Sequence, residues 1–211
     1  GLLSTAELSI VQARKEINLF AERMRRMFGM LKTLLHETNE NDFNKLFSRI
    51  EKYENISDNM ELEIANYLNK VSEGRLSSES KLEIRGMLRE VTEIESIGDS
   101  CYNLARTINR KRSGGNDFTE KQYEHIHQMM QLTDDALAQM IAIVEDDYHV
   151  VDVNKTFNLE NEINNYRAQL KNQNVVDVNN KEYDYQMGVH YMDLIGECEK
   201  LGDYVVNVVE A

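Results

Sequence analysis

Apolar residues recur every three to four positions along most of the chain, the spacing of a helix with one buried face. Ile17, Phe20, Met24, Met27, Phe28, Leu31, Leu34 and Leu35 form the first such stripe. Ser4-Thr5-Ala6-Glu7 ahead of it has the residue types of a capping box. Asn39-Glu40-Asn41-Asp42 interrupts the stripe as a turn with a new N-cap. A second stripe, Phe43, Leu46, Ile50, Tyr53, Met60, Ile64 and Leu68, predicts a helix over 42–72 that ends at Gly74. Ser77-Ser78-Glu79 opens a third helix, which runs to about Arg112. Arg110 to Asp117, with Gly114-Gly115 inside it, reads as a linker.

The pattern then starts again. Phe118-Thr119-Glu120 begins a fourth helix to about Glu145, with Ile126, Met129, Thr133, Leu137, Met140, Ile143 and Val144 on one side. Residues 146–153 read as a loop, 154–172 as a fifth helix, 172–180 as a polar loop, and 182 onward as a sixth helix. The expected fold is all-α: two antiparallel three-helix bundles, residues 1–113 and 114–211, related by a pseudo-twofold. A helix of some 30 residues would be roughly 45 Å long.

The third and sixth helices match at an offset of 104 residues. Glu93 falls on Glu197, Glu95 on Glu199, Gly98 on Gly202, Asp99 on Asp203 and Asn103 on Asn207. The apolar pairs Val91 and Ile195, Ile94 and Cys198, and Ile97 and Leu201 keep the same register. A repeat of this kind carries more information than any single motif. Gly98 and Gly202 lie mid-helix on the apolar seams, where glycine costs about 1 kcal/mol against alanine, so they are expected to serve close approach. Glu95 and Asp99, like Glu199 and Asp203, are like charges at i, i+4, which destabilise a helix unless something positive binds them. Glu54 and Asp58 repeat that spacing on the second helix. Glu160 and Asn164 follow 106 residues later, with an amide in place of the second acid.

Composition narrows the function. The chain of 211 residues has no proline, which suits long helices, and a net charge of −13, which disfavours nucleic-acid binding. Residues 1–37 depart from that balance: six basic side chains against four acidic give +2, a basic stretch suited to an anionic membrane surface. Cys101 and Cys198 stand far apart on the predicted seams and read as core residues of a protein in a reducing compartment. No membrane span or signal peptide is visible, and the start at Gly1 suggests a piece of a longer chain.

Other chemistries find little support. His125 and His127 are two residues apart and cannot share a helical face. His36, His149 and His190 form no motif with them. Glu124 and His127 supply the Glu-x-x-His spacing of a di-iron bundle once, without a second copy. There is no GxSxG and no phosphate-binding glycine loop.

The four acidic strings, YENISD, IESIGD, LENEIN and CEKLGD, resemble those of the PhoU family, whose two three-helix units carry E(D)xxxD motifs on their second and third helices. The opening LLSTAELSIVQARKEI is most similar to the PhoU-like tail that follows the membrane part of bacterial Na/Pi cotransporters. The resemblance implies a cytoplasmic, non-enzymatic regulator of phosphate uptake at the inner face of the membrane. Its expected partner is a membrane phosphate transporter, in the same chain or in trans, and a homodimer is compatible with it. It also implies metal binding by Glu54, Asp58, Glu95 and Asp99, and by Glu160, Glu199 and Asp203, with Asn164 a departure in the second set. These are hard oxygen donors, suited to iron, Mn²⁺, Mg²⁺ or Ca²⁺, and inorganic phosphate could then be held through the metal. The competing readings are a carboxylate-bridged metalloenzyme, with its acids in a water-excluding pocket, and a plain helical scaffold.

Overall fold

The computed structural model describes residues 5–146 and 150–211. Ser4 of the predicted capping box and Tyr148 and His149 of the predicted loop lie outside them. Six helices follow in order: α1 Thr5–His36, α2 Glu40–Ser72, α3 Ser78–Ser113, α4 Glu120–Val144, α5 Asn154–Asn179 and α6 Tyr185–Glu210. They are 25 to 36 residues long, and no strand occurs among the described residues. None is long and apolar enough to cross a membrane.

Polar side chains start four of these helices. Asn39, Ser77, Thr119 and Asp184 each accept a backbone N–H three residues on, which satisfies a donor that the helix leaves free. Thr119 and Gln122 complete a reciprocal capping box. Gly115 takes φ 78°, a left-handed conformation that costs glycine little, and so turns the chain out of α3.

Helices α1, α2 and α3 pack on one another, and α4, α5 and α6 do the same. The two units meet through α3 against α6 and through α1 against α4. The predicted stripes form one continuous core. Ile17, Phe20, Met24, Met27, Phe28 and Leu31 of α1 are fully buried, as are Ile94, Cys101 and Leu104 of α3. Cys198 lies in the same core, and both thiols are free. Arg25 and Lys32 of α1 reach Asp134 of α4 and tie the two units at their surface.

The α3–α6 contact is reciprocal. Asn103 donates to Glu197 at 3.2 Å, and Asn207 donates to Glu93 at 3.1 Å. These are the outer letters of the 104-residue repeat, so each copy of the motif supplies one donor and one acceptor to the other. The pairing also makes the two helices antiparallel, since moving forward along α3 moves backward along α6.

Two boundaries depart from expectation. The predicted polar loop over 172–180 is the last part of α5, and the turn to α6 is Asn180–Asp184. Polarity misleads there because α5 is an edge helix that touches only α4 and α6, so most of its surface faces water. The linker also begins later than expected, because Arg110–Ser113 still belong to α3.

The seam glycines differ from each other. A β-carbon at Gly98 would lie 2.8 Å from Ser57 Oγ and 3.0 Å from Met24 Sδ, too close without movement. At Gly202 it would meet Ile163 Cδ1 at 3.4 Å, an ordinary contact. Close approach is therefore a property of Gly98 against α2, whereas Gly202 makes only ordinary contact with α5. Gly98→Ala is expected to lower stability by about 1–2 kcal/mol, overpacking outweighing the gain in helix propensity. Adding Ser57→Ala removes a buried hydroxyl that has no partner and restores much of the loss. Gly202→Ala should be neutral or stabilising. Chemical denaturation of the three variants beside the parent checks this; equal effects of Gly98→Ala and Gly202→Ala would contradict it.

Candidate metal centre

The Ser57–Gly98 contact places two acidic pairs opposite each other. Glu54 and Asp58 sit one turn apart on α2, and Ser57 between them points into α3. Glu95 and Asp99 are spaced likewise on α3, on either side of the turn that holds Gly98. One carboxylate oxygen from each of Glu54, Asp58, Glu95 and Asp99 lies within 4.8 Å of the other three. Oxygens that ligate one hard cation at roughly 2.0–2.6 Å are separated by distances up to this size. Among the described residues this is the one group of three or more His, Cys, Asp or Glu so gathered.

The group is strained electrostatically as it stands. Burial, the neighbouring Asp99 and the charges of Asp58 and Glu95 push Glu54 up to about 9. Burial, Asp58 and Asp99 push Glu95 up to about 8. Asp58 and Asp99 face solvent, while Glu54 Oε2 is buried and accepts no hydrogen bond. Glu61, one turn beyond Asp58, is raised by burial and by Asp58 and Asp99, so a fifth acid borders the cluster. An orphaned carboxylate oxygen among like charges fits a bound cation, which would satisfy the first and neutralise the second.

The second set is arranged differently. Glu160, Glu199 and Asp203 are not drawn into such a cluster. Arg167 of α5 pairs with Glu199, its Nε 3.4 Å from Oε1. Burial raises Glu199 and the Arg167 charge opposes that rise. Burial and Asp203 raise Glu160, while Asn164 lowers it. In the 106-residue register Arg167 stands where α2 has Glu61, Asn164 where it has Asp58, and Ile163 where it has Ser57. A branched side chain at 163 meets Gly202 in ordinary contact, and a guanidinium supplies positive charge beside Glu199. Carried two steps further, the register that identifies Glu160 and Asn164 reaches both Ile163 and Arg167.

The histidines part company. His125 meets the Tyr191 hydroxyl through Nδ1 at 2.9 Å, and His127 meets His36 of α1 through Nε2. His190 is buried on α6 beside Gln186.

Two three-helix units joined through α3 against α6 and α1 against α4, with an acidic pair of α2 facing one of α3 in the first, define a repeated helical-bundle architecture. The PhoU domain model matches it twice, over residues 17–108 and 126–211, and the chain belongs to the PhoU family. Among solved structures it is similar to the phosphate transport system regulatory protein PhoU from Streptococcus pneumoniae. The TM-score is 0.80 at 14% identity, over 98% of this chain and 94% of that one. It is also similar to PhoU from Pseudomonas aeruginosa, with a TM-score of 0.75 at 14% identity over 96% of this chain and 94% of that one. No curated protein matches the chain.

The raised carboxyls make the metal-free protein sensitive to pH. Glu54 and Glu95 ordinarily ionise near 4.5, so above that value the folded chain keeps protons that the unfolded chain has released. Stability must then fall as pH rises through that interval, until the folded groups ionise at about 8 and about 9. In thermal melts with chelator, Tm is expected to fall between about pH 5 and about pH 9, and less in Glu54→Gln and Glu95→Gln. A rise in Tm over that range, or an unchanged slope in both variants, would contradict the assignment.

Proposed function

We propose that this chain is a non-enzymatic regulatory domain of phosphate uptake that binds a divalent or trivalent metal ion through Glu54, Asp58, Glu95 and Asp99. We further propose that it is the cytoplasmic tail of a Na/Pi cotransporter. Membership of the PhoU family supports the regulatory role, as does similarity to a protein described as a phosphate transport system regulatory protein. The observation that carries the metal reading is the four carboxylates within 4.8 Å of one another, with an orphaned oxygen on Glu54.

The residues fit an oxygen-seeking ion such as iron, Mn²⁺, Mg²⁺ or Ca²⁺. Such an ion supplies local positive charge and Lewis acidity on a surface that otherwise repels phosphate. Glu54 and Glu95 hold their carboxylates half-buried, while Asp58 and Asp99 leave the group open to solvent. That openness favours a docking or sensing role over the water-excluding pocket of a metalloenzyme. In the second unit Arg167 already neutralises Glu199, so one centre per chain is the reading favoured here.

Protein purified without chelator should carry metal by elemental analysis and bind Mn²⁺ in calorimetry. Glu95→Ala with Asp99→Ala should abolish both, and in cells should derepress phosphate uptake. Metal-free protein with no Mn²⁺ heat, or full regulation by the double variant, would overturn the reading. Hydrophobic spans directly ahead of Gly1 in the full-length chain would support the transporter-tail assignment; an initiating methionine in their place would refute it.

A further inference from the structure

On a chain of net charge −13, two arginines lie against one tyrosine ring, with a third a turn away. The guanidinium carbon of Arg23, on α1, lies 4.6 Å from the centroid of the Tyr53 ring on α2. That of Arg49, one turn before Tyr53, lies 6.0 Å from the same centroid. Arg26 lies one turn beyond Arg23 on the same face of α1, at an exposed position.

Five cations have acidic partners: Arg14 has Glu83, Arg25 and Lys32 share Asp134, Lys111 has Asp117, and Arg167 has Glu199. Arg23, Arg26 and Arg49 have none among the described residues, and Arg23 Nε is buried without any acceptor. A ring face attracts an exposed cation only weakly, little return for crowding arginines together. An anion seated between them removes the repulsion and satisfies the orphaned donor. Guanidinium forks match the oxygens of carboxylate and phosphate, and three of them suit the dianionic phosphate group best. The patch also accounts for the basic balance of residues 1–37, which the metal centre leaves unexplained.

We propose that Arg23, Arg26, Arg49 and Tyr53 form a binding site for a phosphate group, either inorganic phosphate or the headgroup of an anionic lipid. The site lies where α2 faces α1, whereas Glu54 and Asp58 face α3, and it does not depend on the metal reading.

The test uses the whole chain with chelator present, which silences any metal centre. One arm titrates inorganic phosphate by calorimetry. The other floats the protein with phosphatidylglycerol vesicles, with phosphatidylcholine vesicles as control. Saturable binding is expected in one arm, which identifies the source, and it should weaken at least about tenfold in Arg23→Gln/Arg49→Gln. The variant Glu95→Gln/Asp99→Asn should bind as the parent does. If the arginine double variant loses its helical circular dichroism, Arg49→Gln alone, at an exposed position, carries the comparison. No binding in either arm, or binding undiminished by the arginine substitutions, would overturn the proposal.

Discussion

The approach of α2 to α3 at Ser57 and Gly98 governs the functional surface. With no β-carbon at 98, the Ser57 hydroxyl sits where a methyl group would be, 2.8 Å from the position that it would take. The two helices meet there, and the i, i+4 acidic pairs on either side are forced into one group. Like charges at that separation are unfavourable, and burial raises the cost for Glu54 and Glu95. The core supplies the stabilisation that tolerates this arrangement: Phe20, Met24, Met27 and Phe28 of α1 are fully buried behind it. The second unit repeats the architecture without the strain. Ile163 replaces the small Ser57, Gly202 is left in ordinary contact, and Arg167 neutralises one of the acids. One repeat therefore keeps an electrostatic tension that a cation could relieve, and the other has resolved it within the chain.

Much of this was legible in the sequence. Helix periodicity, the absence of proline and capping residues such as Ser77 and Thr119 place six helices, five of them within a few residues of their observed bounds. The 104-residue repeat points to Glu95 and Asp99, and the structure does gather them with Glu54 and Asp58. The end of α5 is hidden because an edge helix need not show a continuous apolar face, and Asn172 to Asn180 are polar for that reason. The roles of Asn103 and Asn207 depend on the antiparallel pairing of α3 with α6, a tertiary fact that spacing alone does not contain. The inequality of the two acidic sets turns on Ile163 and Arg167. Both are visible in register, but they acquire meaning only once α5 is seen against α6.

Charge is distributed with comparable economy. The acids at the α2–α3 groove and the arginines around Tyr53 are opposite concentrations on two sides of the same helix. Arg49 and Tyr53 are one turn apart on the α1 side of α2, while Glu54 and Asp58 are one turn apart on the α3 side. A long helix with separate stripes can present a cation-seeking face and an anion-seeking face without letting them neutralise each other.

The central claim is that the chain concentrates its metal-binding capacity in the first unit. Anomalous diffraction from crystals grown with Mn²⁺ and without chelator tests it most directly. One manganese peak is expected among Glu54, Asp58, Glu95 and Asp99, and none beside Glu199 and Arg167. A peak beside Glu199, or none among the four carboxylates of the first unit, would contradict it.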